Sequence, residues 1–169
     1  MKQKEILTAR LCLRPFREED MEALYGLLTN EEIKKTYMIP DFPSREAADK
    51  MCRRFVDLSL DEGHFVRGIY LENGLIGFLN DVETTEKTVE IGYVIHPLHW
   101  NRGYATEAVQ RALAVLLDSG FDAVRAGYFE ENEASGRVME KAGMEKITYE
   151  DTLEYRGKTH RCLYYEKRK

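Results

Sequence analysis

The stretch 96–108 has the residue types and spacing that suit a binding site for a diphosphate. An apolar alternating pattern leads into it, and a pattern typical of an amphipathic helix leads out of it. Gly103, with the small Ala105 two residues later, lets the backbone approach a ligand closely. The N–H groups at the start of the helix point toward negative charge, and Arg102 adds a fixed positive charge. The segment therefore predicts a phosphate cradle, with an ordinary strand-to-helix connection as the alternative.

Two other glycine-rich phosphate loops are excluded by the residues present. A Walker A loop requires Gly-Lys followed by Ser or Thr, and a dinucleotide fingerprint requires a third glycine with an acidic residue about 20 positions later. Neither pattern surrounds Gly103.

Composition favours one globular domain over residues 1–169, since 43% of the residues are hydrophobic and 33% are charged. The net charge of −5 argues against nucleic acid or an anionic membrane surface as the main partner. No apolar run approaches the roughly 20 residues of a membrane span, and the segment 1–14 is too charged for a secretion signal. The three cysteines form no C-x-x-C pair, which predicts free thiols and a cytoplasmic protein.

Hydrophobic periodicity predicts an α+β fold with a mixed central sheet. The helix beyond Gly103 is the most regular segment, because its apolar residues recur at helical spacing until Gly120. Asn73-Gly74 between two apolar runs predicts a hairpin. The predicted strands lie at 10–14, 65–71, 75–82, 88–95, 123–129, 144–150 and 160–166, and the other predicted helices at 18–28, 44–60 and 132–142.

Four motifs in order resemble the RimJ/RimL branch of the GNAT N-acetyltransferases. The sequence LCLRPFREED at 11–20 is similar to the family's opening R-L-x-L-R-P-x-x-x-x-D. The sequence EIGYVIHP at 90–97 resembles its central strand, and GYATEA at 103–108 resembles its acetyl-CoA pyrophosphate loop. The segments at 132–135 and 139–144 resemble its N-x-x-S and E-K-x-G-F motifs.

This resemblance implies a GNAT-like three-layer fold with about six to seven strands and transfer of an acetyl group from acetyl-CoA. The acceptor would be a primary amine that attacks directly, with a peptide or protein N-terminal α-amine expected first. A small amine, such as a polyamine, an amino acid or an antibiotic, is the alternative. A non-catalytic acyl-CoA sensor is a further alternative, and either a monomer or a homodimer is compatible.

By the same resemblance, Glu90 is the general base that removes a proton from the amine, directly or through water. The alternative is a solvated strand residue, and Glu83 and Glu86 are then the next candidates for the base. A main-chain N–H of Val94 or Ile95 would stabilise the oxyanion, and the same backbone would pair with the pantetheine arm.

Ser135 is the expected donor to the departing thiolate, because Met139 occupies the position where the family often has tyrosine. The alternative is that Asn132 and Ser135 serve only to start a helix. The resemblance places cofactor contacts at Trp100, Asn101, Arg102, Gly103, Tyr104, Ala105, Thr106, Asn132 and Arg137.

Two features of the turn qualify this assignment. Asn101 stands where the family usually has glycine, which predicts a left-handed backbone that asparagine tolerates. His96 and His99 could suggest a metal pair, but Pro97 separates them and no cysteine or carboxylate lies nearby in the sequence. No metal is expected.

Overall fold

The computed structural model describes residues 4–169, so the first three residues of the charged segment 1–14 lie outside it. The helices are α1 (Met21–Leu28), α2 (Glu31–Lys34), α3 (Arg45–Leu60), α4 (Tyr104–Asp118) and α5 (Glu133–Lys141). The strands are β1 (Ile6–Leu7), β2 (Leu11–Arg14), β3 (Arg67–Leu71), β4 (Gly74–Thr84), β5 (Thr88–Ile95), β6 (Ala123–Phe129), β7 (Glu145–Tyr155) and β8 (Lys158–Arg168).

The strands form a mixed sheet in the order β1-β2-β3-β4-β5-β6-β8-β7. β5 and β6 pair in parallel, whereas β6–β8 and β7–β8 are antiparallel. The α+β class is confirmed, but the expected six to seven strands become eight. The additional strand is β1, whose two residues are too few to show an alternating pattern.

Contacts divide the chain into two compact units, each described separately below. The first comprises residues through Asn80 together with Tyr93–Tyr104. The second comprises Asp81–Gly92 and Ala105–Lys169.

The first unit buries an apolar cluster contributed by α1, α3 and strand residues such as Phe78 and Val94. α3 begins where the sequence predicts, because Ser44 Oγ accepts a hydrogen bond from the Ala47 N–H at 3.1 Å. The short α2 was not predicted. It follows Asn30, whose side chain caps the Glu32 and Ile33 N–H groups, with too few residues for a periodic signal.

The second unit contains the start of β5, the strands β6, β8 and β7, and the helix α5. α4 buries the apolar stripe that its spacing predicts: Ala108, Val109, Ala112, Leu113 and Leu116. β7 and β8 have 11 residues each and turn at Arg156 and Gly157, both with positive φ. Both strands are longer than predicted. Many of their residues are polar and exposed, so the apolar pattern marks only part of each strand.

Within residues 4–169, no helix combines the length and the apolar content needed to cross a membrane. Cys12, Cys52 and Cys162 are free thiols, as predicted.

Candidate active site

The turn after β5 has the backbone conformation that its residues predict. A short 3-10 turn, Pro97–His99, follows the strand, and α4 begins at Tyr104. Asn101 has φ 60° and Gly103 has φ 80°, which confirms the left-handed backbone expected at Asn101. Both residues and Arg102 between them are exposed, and they lead directly into the first turn of a 15-residue helix. The unpaired N–H groups of such a helix start suit an anion.

Trp100 joins this turn to the end of β5. Its indole Nε1 donates a hydrogen bond to the Ile95 carbonyl oxygen at 2.6 Å, although 43% of the residue remains exposed. His96 Nδ1 accepts a hydrogen bond from the Leu98 N–H at 3.2 Å, and the His96 N–H donates to the Ile76 carbonyl oxygen at 2.7 Å. These bonds define the path from the strand into the turn.

The backbone of Val94 and Ile95 is held closely by β4. A Cβ atom added to Gly77 would lie 2.1 Å from the Val94 carbonyl oxygen, closer than any side chain can approach. Val94 and Ile95 are both buried. The strand end that is expected to stabilise an oxyanion is therefore fixed through its main chain.

In the second unit, Glu90 lies on the same face of the sheet as Arg125, its direct neighbour in the β5–β6 register. Arg125 is already paired, since its Nε donates to Glu166 Oε2 at 2.8 Å. Arg168 Nε lies 2.6 Å from the other oxygen of Glu166. Arg125 therefore attracts Glu90 without neutralising it.

The electrostatic surroundings hold the pKa of the half-buried Glu90 carboxyl above its usual range. Loss of contact with water is the largest cause, and the negative charges of Glu83 and Asp151 add to it, while Arg125 opposes them. A carboxylate with a raised pKa is a stronger base than an ordinary one. Of the three glutamates considered for the base, Glu90 is the half-buried one, whereas Glu83 and Glu86 are exposed.

The parallel pairing between β5 and β6 is short and lies at the start of both strands. It pairs Thr88–Glu90 with Ala123–Arg125, while β5 continues through Gly92 in the same unit and β6 continues to Phe129. Strand residues beyond the last paired residue can offer main-chain groups to an extended ligand.

Asn132 and Ser135 lie at the start of α5. Asn132 occupies the N-cap position, but its side chain makes no capping hydrogen bond. Ser135 is half-buried in the first turn, and its N–H donates to the Asn132 carbonyl oxygen at 3.2 Å. Arg137 is exposed on the same helix, whereas Met139 is completely buried at 0% exposure. The alternative that Asn132 serves only to start α5 therefore lacks the side-chain hydrogen bond that capping would provide.

The turn before α5 is attached to β8 by side chains. The imidazole Nδ1 of the buried His160 contacts the Glu131 carboxylate, and its ring stacks on Phe129 with centroids 4.2 Å apart. Arg161 donates to the Glu130 carboxylate at 2.8 Å. Two of the acidic residues that precede α5 are thus engaged within the protein.

Sequence reasoning did not single out Tyr164 or Arg10. The buried Tyr164 covers Gly127, where an added Cβ would lie 2.6 Å from its ring, and the charge of Glu90 helps to raise its pKa after burial itself. Arg10 contacts the turn at Arg102. Tyr164 falls in the alternating pattern of β8, and Arg10 occupies the first position of the opening R-L-x-L-R-P pattern, but neither signal specifies a partner.

His96 and His99 lie side by side, with ring centroids 6.4 Å apart. In the part of the chain that the structure describes, no three histidine, cysteine, aspartate or glutamate residues are grouped to hold a metal ion.

Residues 10–145 match the family described as "Acetyltransferase (GNAT) domain". The chain belongs to the GNAT acetyltransferase family. It is 31% identical over 145 residues to the uncharacterized N-acetyltransferase YoaA of Bacillus subtilis (strain 168), covering 82% of this chain and 81% of that protein. An acetyltransferase of the GNAT family from Bacillus anthracis has 27% identity and a TM-score of 0.82, with 98% of both chains covered.

The GNAT fold also relates the chain to RimL, a ribosomal L7/L12 α-N-protein acetyltransferase solved in complex with coenzyme A. That structure has 19% identity and a TM-score of 0.81, with 98% of each chain covered. As a GNAT enzyme, the protein is an acetyl-CoA-dependent acetyltransferase.

The structure distributes the predicted GNAT site residues over both units. The first unit holds the strand end and the turn, namely Val94, Ile95, Trp100, Asn101, Arg102, Gly103 and Tyr104. The second holds Glu90, Ala105, Thr106, Asn132, Ser135 and Arg137.

Proposed function

We propose that this enzyme acetylates the N-terminal α-amine of a peptide or protein in the cytoplasm. The observation that carries the proposal is Glu90, a half-buried carboxylate whose pKa is raised by burial and by two neighbouring carboxylates. An amine acceptor is protonated at neutral pH, and it must lose a proton before it can attack a thioester. RimL, which shares the fold, is named as an α-N-protein acetyltransferase.

The turn at residues 101–106 would hold the diphosphate of acetyl-CoA. Its two left-handed residues and the start of α4 supply main-chain N–H groups, and Arg102 supplies a positive charge. RimL was solved with coenzyme A, which supports the same cofactor here. Asn132 and Arg137 are further contacts, and the Asn132 amide is not engaged in capping α5.

In the proposed reaction, Glu90 accepts a proton from the ammonium group, directly or through water. The neutral amine then attacks the thioester carbonyl carbon, so that a C–N bond forms and the carbonyl electrons move onto oxygen to give an oxyanion. A main-chain N–H of Val94 or Ile95 stabilises the oxyanion. The oxyanion then collapses, the C–S bond breaks and the coenzyme A thiolate leaves, with a hydrogen bond from the Ser135 hydroxyl. The nitrogen gives up its second proton to the thiolate, directly or through water, which yields the neutral amide and free coenzyme A.

A small cationic amine is the second candidate acceptor. Its main support in the sequence is the acidic group Glu130, Glu131 and Glu133. Arg161 offsets the charge of Glu130, and the Glu131 carboxylate is already in contact with the His160 ring, so this group is less available to a ligand.

A panel of acceptors tests the proposal. Coenzyme A release and mass spectrometry would be measured with peptides of varied first residue, with the same peptides blocked at the N-terminus, and with polyamines and amino acids. We expect acetylation of free α-amines and loss of the reaction on blocking. Turnover of small amines alone would reject the α-amine, and acetyl-CoA binding without any turnover would favour a sensor.

A further inference from the structure

Arg10 comes from a distant part of the sequence and contacts the turn at residues 101–106, which we call the cofactor turn. It lies between β1 and β2, yet its Nη1 donates a hydrogen bond to the Arg102 carbonyl oxygen at 3.0 Å. Its guanidinium carbon lies 4.5 Å from the centre of the Tyr104 ring. Nη2 lies 3.4 Å from the position that a Cβ of Gly103 would occupy. One side chain thus contacts Arg102 and Tyr104 and lies beside Gly103 between them.

The backbone of this turn benefits from support by the surrounding structure. Asn101 and Gly103 both have left-handed backbones; glycine adopts this conformation freely, whereas in a residue such as Asn101 it persists where the surroundings hold it. The Arg102 carbonyl lies between these two residues, so the bond from Arg10 acts where the chain direction is set. Tyr104, on which the guanidinium stacks, is the buried first residue of α4.

The positive charge of Arg10 suits an anionic ligand at the cofactor turn. Arg10 and Arg102 are both exposed and positively charged, and the Arg10 guanidinium lies against the turn that contains Arg102. Arginine forms charge-assisted hydrogen bonds with anions that carry several oxygens, such as a diphosphate.

We propose that Arg10 is a positioning residue of the cofactor turn, which holds residues 101–104 in the conformation that receives the diphosphate of acetyl-CoA. This inference rests on the proposed cofactor role of the turn. Arg10 acts through the Arg102 carbonyl and the Tyr104 ring, so both its fork of donors and its planar face are needed. Lysine provides the charge without either feature.

The test uses Arg10→Lys and Arg10→Gln, with Arg54→Gln on the exposed surface of α3 as the matched control. Hydrogen exchange of residues 101–106 is measured without ligand, and affinity is measured by calorimetry with acetyl-CoA. We expect faster exchange in both Arg10 variants and affinity reduced about tenfold or more, the usual effect of losing a charge-assisted hydrogen bond. Arg54→Gln should match the parent.

A thioester without a diphosphate, S-acetyl-pantetheine, separates positioning from a general loss of structure. The value of kcat/KM with this donor should be the same in the parent and in the Arg10 variants, whereas KM for acetyl-CoA should rise. If Arg10→Gln does not fold, Arg10→Lys supplies the decisive comparison.

Parent-like exchange and affinity in the Arg10 variants would overturn the inference, as would full recovery of both by lysine. A parent protein that binds no acetyl-CoA would instead reject the proposed cofactor role. The exchange experiment would still show whether Arg10 orders the turn.

Discussion

The indole nitrogen of Trp100 donates to the carbonyl oxygen of Ile95 at 2.6 Å, and this bond ties the cofactor turn to the end of β5. The strand end contains the main-chain groups expected at the thioester, and the turn contains those expected at the diphosphate. A single side-chain hydrogen bond therefore connects the two segments that we propose contact different parts of acetyl-CoA.

Replacing Gly103 by valine should weaken acetyl-CoA binding by at least ~2 kcal/mol, because a bulky side chain would displace a diphosphate that makes several charge-assisted bonds. Gly157→Val is a matched control, since Gly157 has φ 73° against 80° at Gly103 and has no atom within 4 Å of an added Cβ. Both variants should lose thermal stability, but only Gly103→Val should lose affinity in calorimetry. Equal affinity in the two folded variants would contradict the placement of the diphosphate.

Glu90→Gln should lower turnover by roughly 10²-fold or more at neutral pH and leave cofactor affinity nearly intact. Alkaline pH should restore part of the rate, because a deprotonated amine needs no base. Glu83→Gln should move the acidic limb of the parent's pH–rate profile to lower pH, since the charge of Glu83 raises the pKa of Glu90. Parallel profiles for Glu90→Gln and the parent would limit Glu90 to orienting the substrate.

The raised pKa of Glu90 also has a consequence for stability. The folded state holds this proton more tightly than the unfolded state, so stability falls as pH rises from the unfolded pKa of about 4.3 through the folded pKa. Glu90→Gln should therefore melt at a higher temperature than the parent at neutral pH and lose this advantage in acid. Melting curves at several pH values would measure the difference, and a lower melting temperature at pH 7 would contradict it.

Asn132→Ala should leave the free energy of unfolding nearly unchanged, because the Asn132 side chain makes no capping bond. Asn30→Ala is the comparison, since Asn30 caps two N–H groups of α2 and its loss should cost about 1 kcal/mol. If Asn132 serves the cofactor, its variant should nevertheless bind acetyl-CoA more weakly. Urea titration and calorimetry on the same samples would separate the two effects.

Ser135→Ala should reduce turnover by about 3- to 30-fold, or roughly 0.7–2 kcal/mol at the transition state. The hydroxyl is a weak acid, so its contribution should be near that of one neutral hydrogen bond to the leaving sulfur. Single-turnover rates would be compared with melting temperature and cofactor affinity. An unchanged rate would restrict Ser135 to the first turn of α5.

The sequence predicts most of the elements because their side chains alternate or repeat over enough residues. The strands 88–95 and 123–129 have the predicted bounds, and Asn101 has the predicted left-handed backbone. β1 and α2 are too short for such a pattern.

Contacts between distant residues could not be predicted in the same way. Arg10 and Arg102 are 92 positions apart, and no periodic pattern indicates that their turns meet. The pKa of Glu90 depends on Asp151 in β7, whose position follows from strand pairing and not from local sequence. The resemblance to the GNAT family pointed to the candidate base, and tertiary structure determines its surroundings.

The buried cysteines provide one chemical reporter for each compact unit. Cys52 lies in the apolar cluster of the first unit and Cys162 in that of the second. Burial raises the thiol pKa of each to about 11, so little reactive thiolate exists at neutral pH. Alkylation therefore becomes fast only when the surrounding structure opens. Pulsed labelling, with the two modified peptides quantified separately, would yield two unfolding curves from one unmutated enzyme.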